Sequence, residues 1–210
     1  MKNKNILITW VSFGIGNYLA NNLIKDYNIY GISRRNPEIG WINFCSVDLK
    51  DISQIKKYAD SIKNIDFDTV IFNAWVWFFD KFENIKDEEI IETFQINILA
   101  NIYLLKELLK FISPKTKLIF IWSIAGKKFF KYWPIYQASK FALRWFVWSI
   151  RNELKNKVFL INPQFVDTIN FYKNYRIEVT WKFKETKIEE IFIVINSILS
   201  WNENRFEIDM

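Results

Sequence analysis

Histidine is absent from the 210-residue sequence, and Cys45 is its one cysteine. Without histidine the chain cannot form a Ser-His-Asp triad, a Cys-His nucleophile or the usual histidine-bearing zinc sites. A single cysteine excludes an internal disulfide. We therefore expect no metal site, and any catalysis has to use Tyr, Lys, Ser, Asn, Asp or Glu side chains or a cofactor.

Long hydrophobic runs and one-sided charge are also missing. The longest apolar candidate, residues 191–199, has nine residues, against the roughly 18 needed for a membrane span, and the apolar stretch near the N-terminus is too short for a signal peptide. The 29 basic and 23 acidic residues are interspersed, which favours a solvated surface over a nucleic-acid-binding face. We expect a cytoplasmic protein that contacts neither membrane nor nucleic acid, for which a phosphorylated small molecule is a compatible partner.

Glycine is scarce, whereas tryptophan is abundant. The sequence holds 5 Gly and 10 Trp, although average usage gives glycine about 7% of positions, or about 15 residues in a chain of this length. Together the two residue types reach that ordinary glycine total, which raises the question whether tryptophans stand where glycines are needed.

Short apolar, β-branched runs alternate with segments of helical spacing along the whole chain. The predicted strands are residues 5–9, 29–33, 44–47, 67–73, 117–121, 158–161 and 205–209, and the predicted helices are residues 15–26, 51–62, 87–111, 136–155 and 187–199. Such alternation is typical of a doubly wound parallel sheet, because right-handed crossovers put helices on both faces. We predict an α/β, Rossmann-like sheet of about seven strands in a single domain, residues 1–210, with no repeat or linker.

The first strand leads into a glycine-bearing turn, Thr9-Trp-Val-Ser-Phe-Gly14-Ile-Gly16. A strand, a glycine turn and a helix form the arrangement in which backbone N–H groups and a helix N-terminus hold a pyrophosphate. By itself the turn is equally compatible with an ordinary tight connection.

Three polar residues in the second half of the chain are spaced for proton transfer. Tyr136 and Lys140 are four residues apart at the start of a predicted helix and therefore share a face. A nearby ammonium stabilises a phenolate and lowers a tyrosine pKa from about 10, which makes Tyr136 a usable general acid or base. Ser123 ends the fifth predicted strand, where it could donate to a carbonyl oxygen. A Tyr-x-x-x-Lys pair alone could equally be a surface pair on a helix.

Taken in order, these motifs resemble those of the classical short-chain dehydrogenase/reductase family, from Thr9 to about Thr168. The matching positions are Thr9, Gly14, Ile15 and Gly16 of the glycine motif, Asp48, Asn73 with Ala74, Asn97, Ser123, Tyr136, Lys140, and Pro163 with Val166 and Thr168. The resemblance implies one dinucleotide-binding domain with an integral catalytic site, in which residues 168–183 form a short substrate lid.

The resemblance also implies residue roles. Tyr136 would protonate a carbonyl as hydride arrives from the nicotinamide, Ser123 would orient that carbonyl, Lys140 would lower the Tyr136 pKa and bind the nicotinamide ribose, and Asn97 would hold a water linked to Lys140. The expected cofactor-binding residues are Thr9, Ser12, Phe13, Gly14, Ile15, Gly16, Arg34, Asp48, Leu49, Asn73, Ala74, Tyr136, Lys140, Val166 and Thr168.

The segment after the second predicted strand points to the choice of cofactor. An acidic residue there binds a ribose 2′-hydroxyl, whereas an arginine accommodates a 2′-phosphate. The sequence reads Gly31-Ile-Ser33-Arg34-Arg35, with no acid, and guanidinium suits phosphate. We predict NADP(H) rather than NAD(H), with Arg34 as the contact and Arg35 as a solvated surface charge.

The departures from the family pattern fall largely on tryptophans. Trp10 and Trp75 stand at family glycines, and Trp122 stands where the family often has Gly or Ser. Glycine is used in such turns because the backbone must approach a ligand or adopt φ > 0. Gln164 departs as well, and nothing in the sequence explains it.

Two explanations of these departures are open. The chain is a cofactor-free relative, or a UGA codon that encodes glycine in a reassigned bacterial code is written as tryptophan. We hypothesise the second. The alternative that all ten tryptophans pack a core suits Trp145 or Trp148 on a helix but not Trp10 and Trp75.

The sequence thus predicts an NADP(H)-dependent oxidoreductase of the carbonyl reductase or alcohol dehydrogenase type, acting on a small carbonyl or alcohol. The alternative is a non-catalytic dinucleotide-binding or interaction protein that keeps the fold, and a basic nucleic-acid binder has only the net charge in its favour. Aromatic residues that could line an apolar substrate pocket are Phe78, Phe129, Phe130, Tyr132, Phe165 and Tyr172. The resemblance implies a homodimer or homotetramer that pairs through the helices at residues 87–111 and 136–155.

Overall fold

A computed structural model describes residues 4–166 and 184–210 of the chain. Within them a parallel sheet has the strand order β3-β2-β1-β4-β5-β6-β7. The strands are β1 (Asn5–Thr9), β2 (Asn28–Ser33), β3 (Asn43–Ser46), β4 (Thr69–Phe72), β5 (Lys117–Ile121), β6 (Val158–Asn162) and β7 (Glu207–Asp209). The predicted doubly wound parallel sheet of seven strands is confirmed.

Helices cover both faces of the sheet. They are α1 (Gly14–Leu23), α2 (Ile52–Ser61), α3 (Asp87–Phe94), α4 (Asn101–Leu108), α5 (Pro134–Ile150) and α6 (Ile188–Leu199). In β1, Ile6 and Ile8 pack with α1 and α6, whereas Leu7 between them packs with α2, α4 and α5. Because successive side chains of a strand point to opposite faces, one apolar run supplies both core layers.

Several element boundaries differ from the predicted ones. The helix expected at residues 87–111 is α3 and α4 joined by a π-helical turn, Gln95–Ala100. The helix expected at residues 136–155 begins at Pro134, because proline fits the first helical position, and it ends at Ile150, after which residues 151–153 form a hydrogen-bonded turn. The edge strand β7 spans Glu207–Asp209 and not the whole of residues 205–209.

Part of the predicted site lies outside the described residues, namely Thr168, Tyr172 and the segment expected to form a substrate lid, residues 168–183. Among the helices that the structure does describe, none is long and apolar enough to cross a membrane.

Candidate active site

The carboxyl ends of β1 and β4 are fastened together by Thr9. Its side-chain oxygen accepts hydrogen bonds from the backbone N–H groups of Asn73 at 2.8 Å and Ala74 at 3.0 Å, and the Asn73 amide donates to the Thr9 carbonyl at 3.1 Å. The connections that leave β1 and β4 run to opposite sides of the sheet, so a crevice opens between them. Doubly wound sheets bind their ligands at this point.

The turn from β1 into α1 passes close to its own helix. The Trp10 N–H donates to the Ile32 carbonyl at 2.6 Å, and a Cβ atom at position 16 would lie 2.3 Å from the Trp10 carbonyl oxygen. Only glycine therefore fits at Gly16. Phe13 is the residue before the first helical turn, and within the described residues its side chain makes no capping hydrogen bond. The N–H groups of a helix N-terminus attract anions.

Ser123 and Tyr136 meet at the carboxyl end of β5. Tyr136 is 5% exposed, and its phenol shares a hydrogen bond with the Ser123 hydroxyl. Burial raises the pKa of Tyr136 strongly, and the bond with Ser123 lowers it only in part. The pKa is therefore not lowered in the way that the Tyr-x-x-x-Lys spacing predicts. The spacing of four residues places Tyr136 and Lys140 on one face of a helix, but it does not reveal how strongly burial removes them from water.

Lys140 lies directly behind Tyr136 in an aromatic enclosure. Its ammonium nitrogen is 4.1 Å from the ring centroid of Trp122, 5.3 Å from that of Trp75 and 5.2 Å from that of Tyr136. The side chain is fully buried, and within the described residues its nitrogen has no hydrogen-bond partner. Burial lowers the Lys140 pKa well below its ordinary value. Lys140 therefore lies beside Tyr136 but makes no polar contact within the described residues.

Asn97 lies in the π-helical turn and connects three parts of the site. Its Oδ1 accepts from the Val76 N–H at 2.8 Å, and its Nδ2 donates to the Val76 carbonyl and to the Ser139 hydroxyl, both at 2.9 Å. The side chain therefore holds the segment after β4 against α5. Its expected role in holding a water remains a prediction.

Arginine side chains line one end of the crevice. A cavity of about 290 Å³ is lined by Trp10, Ser12, Phe13, Arg34, Arg35 and Asn36. The two guanidinium groups suit an anionic group such as a phosphate. Arg34 also lies 5.8 Å from the ring centroid of Trp10. Arg35, expected as a surface charge only, reaches the same cavity.

Aromatic side chains surround Ser123 and Tyr136 at the other end. This cavity, of about 210 Å³, is lined by Ile15, Trp75, Trp122, Ser123, Ile124, Lys128, Phe130, Trp133, Tyr136, Pro163, Gln164, Phe165, Val166 and Lys184. The expected Phe130 and Phe165 are among these residues. Phe129 is instead 87% exposed and, with Tyr132, lines a separate surface depression, and Phe78 lines neither cavity.

Sequence reasoning missed several residues of this cavity, of which Trp133 is the clearest case. Trp133 immediately precedes Pro134, the first residue of α5. The proline is the signal that could have placed the helix start, and with it Trp133, next to Tyr136.

Of the remaining predicted cofactor-binding residues, some line the crevice and others make contacts elsewhere. Asp48 accepts from the Lys50 N–H at 3.0 Å, and Leu49 is buried in the core rather than directed to the crevice. Val166 lines the cavity around Ser123. Asn73 reaches the crevice, and its buried Oδ1 has no hydrogen-bond partner within the described residues.

The middle of the crevice is almost closed. Between the two larger cavities lies one of about 20 Å³, lined by Trp10, Phe13, Gly14, Ile15, Asn73, Trp75 and Trp77. That is room for about one water molecule. The rings of Trp75 and Trp77 pack there with centroids 4.6 Å apart. A dinucleotide would have to pass this point, so the residues present fit its two ends and do not fit its pyrophosphate centre.

Comparison with known proteins identifies the family to which the chain belongs. The sequence model of the family described as short chain dehydrogenase matches residues 4–176. The chain belongs to this family. Membership confirms the resemblance that the motifs indicate.

Individual relatives agree with the family. The 17-beta-hydroxysteroid dehydrogenase 13 of Rattus norvegicus is 28% identical over 193 residues, which is 81% of this chain and 64% of the rat protein's length. A short chain dehydrogenase family protein from Francisella tularensis superposes with a TM-score of 0.86 at 21% identity, covering 99% of this chain and 96% of the other. An alcohol dehydrogenase from Thermococcus sibiricus, complexed with 5-hydroxy-NADP, gives 0.85 at 21% identity, with 99% and 95% covered. At this identity the two structures support the fold.

Proposed function

We propose that this short-chain dehydrogenase is an NADP(H)-dependent carbonyl reductase or alcohol dehydrogenase of the bacterial cytoplasm, active in a form whose central crevice is open. The observation that carries the proposal is the hydrogen-bonded pair Ser123 and Tyr136 in the wall of the cavity of about 210 Å³, with Lys140 behind it. When bound, NADP(H) would supply the hydride. The chain itself would supply the proton and the geometry.

Tyr136 is suited to act as the proton donor. Burial keeps its phenol protonated, which is the form that a carbonyl oxygen needs when it gains electron density. Ser123 would donate to the same oxygen and so fix the direction of the carbonyl. Lys140 is close enough to stabilise the phenolate once water or a polar ligand reaches its ammonium.

The arginines at the far end of the crevice support NADP(H) over NAD(H). Arg34 and Arg35 line that cavity, and residues 31–35 contain no carboxylate that would repel a 2′-phosphate. The Thermococcus relative is complexed with an NADP derivative, which agrees with this choice. The remaining predicted contacts, including Thr9, Asp48 and Thr168, stay part of the proposal.

The walls of the Ser123 cavity favour an apolar or aromatic carbonyl. Trp133, Phe130 and Phe165 are among its apolar lining residues, and Lys128 and Lys184 line it as well. A volume of about 210 Å³ suits a small substrate.

The proposed assembly is a homodimer or homotetramer. Large apolar side chains are exposed on α3, α5 and the turn between α3 and α4, for example Ile91 at 56%, Leu99 at 42% and Trp145 at 67%. Burying such side chains between copies of the chain would remove them from water.

Consumption of NADPH with a panel of ketones and aldehydes tests the proposal. The double variant Trp10→Gly with Trp75→Gly, in which the crevice is widened, should reduce at least one carbonyl. Adding Tyr136→Phe to it should abolish turnover while cofactor binding persists. The closed crevice of the parent chain supports the alternative of a non-catalytic protein. That alternative would be favoured if the double variant bound NADPH and reduced none of the panel.

A further inference from the structure

Three tryptophans have a backbone conformation that glycine favours. Within the described residues, five non-glycine residues have φ between 56° and 68°, and three of them are Trp10 at 62°, Trp41 at 68° and Trp201 at 62°. A side chain in this left-handed region crowds its own carbonyl, so residues other than Gly, Asn and Asp rarely adopt it. Contacts that the side chain makes elsewhere have to offset this cost.

Position 201 ends α6 in a way that calls for glycine. The Trp201 N–H donates to the Ile198 carbonyl at 3.2 Å, and the Asn202 N–H donates to the Ser197 carbonyl at 2.9 Å. This pair of bonds is a Schellman motif, whose left-handed residue is usually glycine. The Trp201 ring is 50% exposed, so burial in the core does not explain its presence. Its centroid lies 3.8 Å from the Lys117 nitrogen and 4.5 Å from the Lys157 nitrogen, and these contacts do not require a left-handed backbone.

Position 41, which also lies outside the crevice, has a backbone conformation that favours glycine as well. Trp41 directly follows Gly40, has its φ at 68° and is 96% exposed. Its ring buries almost no surface, so packing does not offset the strained backbone. Positions 41 and 201 both lie outside the crevice.

At position 75 glycine is favoured by a pair of buried polar atoms near the indole, and not by the backbone conformation. The ring centroid of Trp75 lies 5.3 Å from the Lys140 nitrogen. Trp75 and Asn73 both line the small central cavity. The Lys140 nitrogen and the Asn73 Oδ1 are buried, and neither finds a hydrogen-bond partner among the described residues. Each such buried group costs free energy. Removing the indole would let a polar ligand or water reach both.

Position 10 has both a left-handed backbone and an indole in the crevice. Its φ of 62° favours glycine, and its ring lies in the wall shared by the central cavity and the cavity of Arg34. An indole there narrows the passage between the two.

We propose that the functional polypeptide carries glycine, encoded by UGA, at positions 10, 41, 75 and 201. Glycine at positions 10 and 75 joins the three cavities into one crevice that runs from Arg34 to Tyr136. For positions 10 and 75 the inference also rests on the proposed function. For positions 41 and 201 it rests on backbone conformation and exposure alone.

Peptide mapping by mass spectrometry, on the protein purified from its natural source, tests the inference directly. The peptides that contain positions 10, 41, 75 and 201 should carry glycine, and the gene should have UGA at each. Tryptophan at any of the four overturns the proposal. NADPH titration of the same purified protein separates the two ideas, because glycine at all four without NADPH binding would support this inference and refute the proposed function.

A pair of recombinant variants tests position 201 without reference to any ligand. Trp201→Gly and Trp201→Ala both lose the ring, and they differ in the ease of a left-handed backbone. The Gly variant should melt about 2–4 °C above the Ala variant, because glycine adopts a left-handed backbone more easily than alanine does. Equal melting temperatures would contradict the glycine assignment at position 201.

Discussion

The indole of Trp75 lies over the ammonium of Lys140, with 5.3 Å between the nitrogen and the ring centroid. In the short-chain dehydrogenase proposed here, Lys140 should instead face a cofactor ribose and the solvent chain behind it. Trp75 contributes to two features of the site. With Trp10 and Trp77 it lines the narrow centre of the crevice, and with Trp122 it surrounds the Lys140 nitrogen. Its removal should change both together.

Trp75→Gly should lower the pKa of Tyr136. Water entering the site would reduce the desolvation that raises the Tyr136 pKa and lowers that of Lys140, and the restored ammonium would then favour the phenolate. A spectrophotometric titration of tyrosine ionisation measures this, with Tyr136→Phe in each background to isolate the Tyr136 contribution. The explanation fails if the Tyr136 transition occurs at the same pH with and without Trp75.

Thr9→Val should destabilise the fold by about 3 kcal/mol, because two buried backbone N–H groups would lose their acceptor. These are the N–H groups of Asn73 and Ala74, which both donate to the Thr9 hydroxyl. Urea unfolding measures the loss. Thr9→Ser keeps the acceptor and serves as the control. If the Val and Ser variants were equally stable, Thr9 would not hold the two strand ends together.

Glu207 should make stability depend on acidic pH. Burial opposes ionisation of its carboxylate, but hydrogen bonds from Arg144 and Asn162, together with the charges of Arg144 and Lys127, outweigh it and lower the Glu207 pKa to about 2. A carboxylate with a lowered pKa contributes stability above its unfolded-state pKa and loses it as the pH falls through the folded value. The contribution should therefore be complete above about pH 4.5 and decline toward pH 2.

Urea unfolding across this pH range, with Glu207→Gln as the comparison, measures the contribution. The variant should show a flatter dependence on pH than the parent chain. Asp60→Asn is a suitable control, because Asp60 pairs with the neighbouring Lys63 at the surface, where ion pairs contribute little. Identical slopes for the parent chain and the Glu207 variant would rule out the coupling.

Arg34→Ala should weaken NADPH binding roughly tenfold, as expected for losing one charge-assisted contact, and should leave NADH binding unchanged. The experiment uses the double variant Trp10→Gly with Trp75→Gly as its background, since the parent crevice is closed. Arg35→Ala is the matched control, because Arg35 lines the same cavity and is expected to be the weaker contact. An equal loss of NADPH and NADH affinity in the Arg34 variant would contradict a role in binding the 2′-phosphate.

The sheet could be predicted from the sequence because its signals are local. The run from Asn5 to Thr9 is apolar on both faces, as a central parallel strand requires, and the same pattern recurs in β4, β5 and β6. The expectation that Ser123 and Tyr136 share one site came from the resemblance of their motifs to the family, and the structure brings both to the same cavity.

Other features depend on contacts that exist only after folding. The π-helical turn at Asn97 is stabilised by bonds to Val76 and Ser139, residues that are remote in the sequence. The pKa shifts of Tyr136 and Lys140 arise from the aromatic enclosure and not from their spacing of four residues. The approach of Arg35 to the cavity of Arg34 likewise depends on the path of the loop after β2.

Calorimetric titration of NADPH against the parent chain and the Trp10→Gly, Trp75→Gly double variant tests most directly whether indoles block an otherwise intact cofactor crevice. We predict that the double variant binds NADPH at least tenfold more tightly than the parent chain. Equal affinities of the two proteins, with both shown to be folded, would contradict the claim.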